Sequence, residues 1–377
     1  MRYGSGRTMA GALALAATLA LAGGAAGQSG TRMHSEHVDG RHRISVTTTG
    51  EVRFTDDDRG VAYVEPGARL VIEEEAPGQP DRRVEYRGVG GGIQRRFFRD
   101  GREVQPGAED EAWIGRALLQ PIRESGINAA ERTARIYRRG GVDAVLEEIR
   151  QIGSDGSKSR YYAALLRQPL RSGETARVLR DAGNRIGSDG DKQRTLAVLL
   201  ERRSISAGEM EAMLDAAARI GSDGDKSRLL IAALARDPFA SPAPRDAFFR
   251  TAGRIGSDGD RSRVLIQAAA RDPFDDAAAR DGFFRTAAGI GSDGDKARVL
   301  LSVLTRGDVR RETVVEAVRT ARGIGSDGDK ARVLTAVPGR FLRDRAVRGA
   351  FEQAMTGIGS DGDRARVARY LAAGDPS

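Results

Sequence analysis

The sequence predicts an α+β chain that is mainly α, with a small antiparallel β region followed by a right-handed α-solenoid of about seven 34–35-residue helix pairs. Three observations carry that expectation. The phrase Ile-Gly-Ser-Asp-Gly-Asp/Ser-Lys/Arg begins at Ile152, Ile186, Ile220, Ile255, Ile290, Ile324 and Ile358, with steps of 34, 34, 35, 35, 34 and 34 residues. Ahead of it, apolar and polar residues alternate with a period of two. At the N-terminus, a 14-residue apolar stretch follows two arginines.

That stretch, Met9–Ala22, sits between Arg2 and Arg7 on one side and the small residues Gly23–Gly27 on the other. This is the pattern of a secretory signal over 1–27, and it is short of the about 20 residues a membrane-spanning helix needs. The expected protein is periplasmic or secreted, with no stable membrane insertion after cleavage. The chain has no cysteine, which excludes a disulfide framework and thiolate metal sites.

Residues 28–40 read as a linker. It holds His34 and His37, and His42 follows it; these are the chain's three histidines. His34-x-x-His37 has helical metal spacing, yet Ser35 and Glu36 do not complete an H-E-x-x-H motif. From 41 to 104, short alternating segments around Ile44–Val46, Val52–Phe54, Val61–Tyr63, Leu70–Ile72, Val84–Tyr86 and Ile93–Phe97 read as an antiparallel meander. Gly, Pro and Asp turns separate them, and Asp56-Asp57-Asp58 reads as one such turn rather than a metal loop. Connecting helices follow over 108–141: one over Glu109–Ile122, which Pro121 would end or kink, and one over Ala129–Tyr137.

The repeats occupy 142–374. With the signature isoleucine as position 0, apolar residues fall at −7, −6 and −3 and again at +9, +10, +13 and +14. Each set is one face of an α-helix. The glycine at +1 suits a left-handed helix stop. The serine at +2 (Ser154, Ser188, Ser222, Ser257, Ser292, Ser326, Ser360) suits the N-cap of the second helix. The aspartate at +5 (Asp191, Asp225, Asp260, Asp295, Asp329, Asp363) gives capping-box spacing. An arginine stands at +8 in every copy: Arg160, Arg194, Arg228, Arg263, Arg298, Arg332 and Arg366. These arginines are expected to reach an aspartate of their own or a neighbouring repeat, forming a charge ladder. The loops at the opposite edge vary, as in Arg236–Pro244, Arg271–Asp276 and Val337–Arg340, and any specificity is expected there or on the concave face.

The 34-residue helix-pair period resembles the TPR and HEAT class of α-solenoids, although the TPR consensus residues are not visible. The phrase S-D-x-D-K-x-R-V-L also resembles repeats in uncharacterised exported bacterial proteins, where it tends to read S-S-D-Y-E-K. Here glycine stands where tyrosine is usual, and no metallopeptidase motif accompanies the repeats. The resemblance implies a scaffold and carries over no catalytic residue.

Charge supports the same class. Sixty-one basic residues face 53 acidic ones in close alternation, so the net +8 forms no nucleic-acid stripe, and aromatic residues for base stacking are few. The chain therefore reads as an exported non-enzymatic interaction module without cofactors, whose partner is a protein. Two alternatives come from other classes. S-D-G-D could hold calcium, although the EF-hand ligand pattern fails at +8, where an arginine stands. A hydrolase acting on envelope polymers through carboxylates alone would need a close pair of them in a cleft.

Overall fold

The computed structural model describes residues 32–39 and 42–374, so the signal over 1–27 lies outside the described residues. The chain divides into two compact units, with the boundary after Leu165.

In the first unit the stretch read as a linker holds a strand, β1 (Arg32–Asp39). It pairs antiparallel with β2 (His42–Thr49). His34 and His37 therefore stand on a strand, whose period is two, and the helical spacing does not apply to them. β3 (Val52–Phe54) and β4 (Val61–Val64) form a separate hairpin. β5 (Arg69–Glu75), β6 (Arg82–Val89), β7 (Gly92–Arg99) and β8 (Arg102–Glu103) complete an antiparallel sheet in the order β1-β2-β5-β6-β7-β8.

Alternation along the strands places Val46, Leu70, Ile72, Val84, Tyr86 and Phe97 in one apolar core. They meet Val52, Phe54 and Val64 of the hairpin and Trp113, Ile114, Ala117, Leu118 and Ile122 of α1 (Ala108–Ser125). α1 is anchored at its acidic first turn, where Arg99 binds Asp110 at 2.7 Å and Arg95 binds Glu111 at 2.5 Å. Those carboxylates also favour the positive end of the helix dipole. α1 continues through Pro121 to Ser125, whose hydroxyl donates to the Pro121 carbonyl at 2.6 Å. The proline is accommodated inside the helix and does not end it. α2 (Ala129–Arg150) is broken at Gly140 and Gly141, the latter left-handed at φ 64°, and α3 (Asp155–Leu166) follows the first signature.

The second unit is six consecutive helix pairs: α4 (Ser172–Arg185) with α5 (Asp189–Ala197), α6 (Ala207–Ala217) with α7 (Asp223–Ala233), and α8 (Pro242–Ala252) with α9 (Asp258–Arg271). α10 (Ala277–Ala288) with α11 (Asp293–Leu304), α12 (Arg311–Ala321) with α13 (Asp327–Leu334), and α14 (Arg345–Met355) with α15 (Asp361–Ala373) complete it. First helices pack on first helices of the next pair and second on second, an arrangement compatible with a helical repeat. Both apolar stripes are buried, as with Phe248, Ala252 and Ile255 in one pair and Val299, Leu300 and Val303 in the next, all fully inaccessible. The last pair differs. Position +10 is Leu196, Leu230, Leu265, Leu300 and Leu334 in the five preceding pairs but an exposed Ala368 in the seventh copy.

Candidate functional site: the signature edge and a groove on the first helices

Each signature serine in the second unit caps its helix, its Oγ accepting the N–H of the aspartate at +5, as from Asp191 to Ser188 and from Asp295 to Ser292 at 3.3 Å. Ser154 accepts the Ser157 N–H at 3.4 Å in the first unit. The reciprocal half of the capping box goes elsewhere. The aspartate at +5 pairs instead with the arginine at +8 of its own repeat, three residues on, as in Asp191–Arg194 at 2.6 Å, Asp260–Arg263 at 2.7 Å and Asp363–Arg366 at 2.9 Å. Arg228, Arg298 and Arg332 do the same with Asp225, Asp295 and Asp329. Arg160 donates to the Ser125 carbonyl at 2.7 Å.

The bonds that join repeats come from the other aspartate, at +3. The Asp189 carboxylate accepts the Gly221 and Ser222 N–H groups of the next signature, both at 2.8 Å. Asp258 does the same for Gly291 and Ser292, Asp293 for Gly325 and Ser326, and Asp327 for Gly359 and Ser360. Asp223 accepts the Ser257 N–H at 2.8 Å. Inside the first unit Glu124 of α1 plays this part for Gly153 and Ser154, at 2.7 and 2.8 Å. The basic residue at +6 adds a second strand of bonds. Lys192, Lys226, Lys296 and Lys330 each donate to a carbonyl just ahead of the next signature: Arg219, Arg254, Gly323 and Gly357, at 2.8–3.1 Å.

This arrangement corrects the role of the glycine at +1. None of the signature glycines has a positive φ, and Ile186 ahead of Gly187 is extended at φ −82°, ψ 117°. Glycine suits the position because a Cβ there would crowd the carboxylate of the preceding repeat. A Cβ built on Gly221 would stand 3.0 Å from an Asp189 oxygen, and one on Gly291 would stand 3.1 Å from Asp258. The second glycine, at +4, faces open space at Gly224, Gly294, Gly328 and Gly362. Two substitutions in one signature should therefore move stability in opposite directions. Gly221→Ala is expected to cost about 1–2 kcal/mol by disturbing charge-assisted bonds. Gly224→Ala should add about 0.5 kcal/mol through helix propensity. Urea denaturation of the two variants measures both.

The edge read as variable is also stitched, by a row that sequence reasoning missed. Arginine recurs at +16, and Arg202 donates to the Leu166 carbonyl at 2.8 Å, Arg236 to the Arg202 carbonyl and Arg306 to the Ala269 carbonyl. Arg340 reaches the Gly307 and Val309 carbonyls at 3.2 and 3.3 Å. The signal was its period. Between these arginines the Asp-Pro-Phe loops drive aromatic rings inward: Phe274, left-handed at φ 57°, is fully buried with its ring centre 4.3 Å from that of Phe283 and tilted by 32°. Phe239 lies parallel to Phe249 at 5.2 Å.

Open concavities lie on the first helices. Between α8 and α10 is a groove of about 610 Å³, and between α10 and α12 one of about 370 Å³; both are lined by Asp281 and Arg285. Gly253 and Ala278 keep the first of them open, and Gly282 lets α8 lie close to α10, since a Cβ on it would stand 2.5 Å from the Phe249 ring. Phe249 and Phe284 contribute apolar lining. Here the fifth residue before the signature isoleucine changes sign. It is Asp181 and Asp215 in the earlier pairs, then Arg250, Arg285 and Arg319.

The first unit holds a cluster of charges bound to one another. In the first unit Arg132, 3% exposed, binds Asp58 at 2.8 Å, Glu148 at 2.7 Å and the Tyr161 hydroxyl at 3.0 Å. Arg123 also holds Glu148, at 2.5 Å, and Arg135 holds Asp58. Burial works against ionised Glu148, yet the hydrogen bonds of Arg123 and Arg132 outweigh it and bring its carboxyl below the usual range. Asp57 is lowered by the Thr55 hydroxyl and the Arg59 N–H, which close the Asp56–Asp58 turn. Asp58 and Glu131 line a cavity of about 90 Å³ beside Arg53, Arg132 and Arg135. Among the described residues no three His, Asp or Glu side chains converge as metal ligands would, and no helix is long and apolar enough to cross a membrane. No family model, curated protein or solved structure matches the chain.

Proposed function

We propose that the chain is an exported, non-enzymatic scaffold, a right-handed α-solenoid of TPR- or HEAT-like repeats that holds a protein partner on the face of its first helices. The observation that carries this reading is the pair of neighbouring grooves, between α8 and α10 and between α10 and α12, which share Asp281 and Arg285 and where the charge of the −5 row reverses. Both edges of the repeat unit are occupied with joining one repeat to the next: carboxylates and lysines on the signature side, arginines on the loop side. The helix faces are left as the surface available for recognition, as in other stacked-repeat proteins. Export follows from the pattern over 1–27, and protein from its native compartment should begin between residues 23 and 30 by mass spectrometry. Intact Met1 in a soluble cytosolic fraction would end that part of the reading.

The scaffold reading is tested by capture from envelope extracts on the immobilised mature chain, beside a variant carrying a bulky residue in the groove, Ala278→Trp. A protein retained by the first and lost by the second is the expected result. A partner held equally by both would remove the groove from the function.

A further inference from the structure

We propose that the groove over α8, α10 and α12 receives an extended acidic segment of the partner, a short peptide rich in Asp or Glu with an apolar side chain between the carboxylates. This rests on the scaffold reading and names the chemistry of what the scaffold holds.

The charge balance of the groove points to an anionic occupant. Its acids already have cations: Asp246 lies 3.2 Å from Arg245, Asp281 pairs with Arg285, and Glu316 lies 2.7 Å from Arg319. Its remaining cations are not matched within it. Arg254 is exposed and its guanidinium makes no ion pair among the described residues. Arg280 donates to the carbonyls of Phe274 and Asp275 at 3.1 and 3.3 Å, and the carboxylate that feels its charge, Glu312, lies outside the groove lining. Arg250 spends its charge on Asp215, which lies on α6 outside the groove, at 2.7 Å and half-exposed. A carboxylate arriving in the groove therefore meets guanidinium groups whose fork geometry suits it.

The lining and length say that the occupant is a peptide. Only the edges of Phe249 and Phe284 reach the surface, at 6% and 4% exposure, and with Gly253 and Ala278 they leave room for one apolar side chain between two carboxylates. Helix axes packed about 8–10 Å apart make the path from α8 to α12 roughly 16–20 Å. An extended chain rising about 3.3 Å per residue covers that path in five or six residues. A nucleic acid would also bring negative charge, but it needs several unpaired cations along its backbone and flat rings on which bases stack. Here the two phenylalanines are buried to their edges.

The test uses the full mature chain and fluorescence anisotropy with three labelled probes of similar length. These are a decapeptide alternating Glu and Ala with a central Phe, its Lys counterpart, and a single-stranded DNA oligonucleotide. The acidic peptide should bind at least 10-fold tighter than the other two. Arg254→Glu and Arg285→Glu, both exposed and so expected to leave the melting curve in place, should each weaken it at least 5-fold. Asp281→Asn, which releases Arg285, should tighten it. Arg366→Glu on the signature edge should change nothing. Equal binding of the Lys peptide, tighter binding of the DNA, or an equal loss in Arg366→Glu would overturn the proposal. If the acidic peptide fails while a protein from extracts is still captured and then lost on Ala278→Trp, the acidic class is wrong and the scaffold reading stands. Loss of both ends the two together.

Discussion

Replacing Arg132 with methionine should lower the stability of the first unit by about 2–3 kcal/mol, because two largely buried carboxylates lose their shared cation and keep one arginine each, Arg135 for Asp58 and Arg123 for Glu148. The side chain touches Asp58, Glu148 and the Tyr161 hydroxyl, and through them the β3–β4 loop, α2 and α3. Methionine fills similar volume, so most of the cost is electrostatic and not a cavity. Arg132→Lys keeps the charge but not the fork, and should fall between the two. The pH dependence identifies the cause. The Glu148 carboxyl is held below its usual value in the folded wild type, so its contribution is full above about 4.5 and is lost as pH falls through the lower folded value. The variant has less of that contribution to lose. The gap between the two proteins should therefore be widest near neutral pH and shrink as pH falls below about 4.5. A gap unchanged from pH 7 to pH 3 would mean that packing, not charge, is what Arg132 supplies.

How much of this was legible in the sequence differs by residue. The helix pairs were, because isoleucine, phenylalanine and leucine recur at helical spacing and the period is fixed. The serine caps at Ser188 or Ser292 were also legible, because a cap is a local bond between residues three apart. The partner of Asp189 was not. A carboxylate at the start of a helix has a local use at the dipole and a distant use on the next repeat's backbone, and sequence favours the local one. The glycine at Gly221 misled for the same reason. Its usual explanation is a left-handed φ, whereas here it leaves room for a side chain 32 residues away. The strand over Arg32–Asp39 was hidden by its polar composition, and the groove by the fact that small residues such as Gly253 and Gly282 carry no periodic signal.

The arginine row and the aspartate row should separate clearly in a denaturation experiment. Arg263 and Arg366 are 60% and 50% exposed and pair only with the aspartate three residues before them. Such pairs contribute under about 0.5 kcal/mol, so Arg263→Ala and Arg366→Ala should both be nearly silent, with no difference between middle and end. Asp258→Ala should cost about 2–3 kcal/mol. It removes a carboxylate that accepts two N–H groups of the next signature, at 3.1 and 2.8 Å, from the turn that starts α11. Position should matter here. Asp361, in the seventh signature, has 98% of its side chain exposed and lies 3.5 Å from Arg364 only three residues on, so Asp361→Ala should be silent. Acid should act as the substitution does. The N–H groups of Gly221 and Ser222 hold the Asp189 carboxyl below the usual aspartate range, and those of Gly325 and Ser326 do the same for Asp293. A depressed folded value means that this stability is complete above about pH 4 and fades as pH falls further. Because the same bond recurs from pair to pair in the second unit, the losses accumulate along it, and the acid midpoint should be steep. If Asp258→Ala melts with the wild type and Arg263→Ala does not, the repeats are joined by the exposed pairs after all.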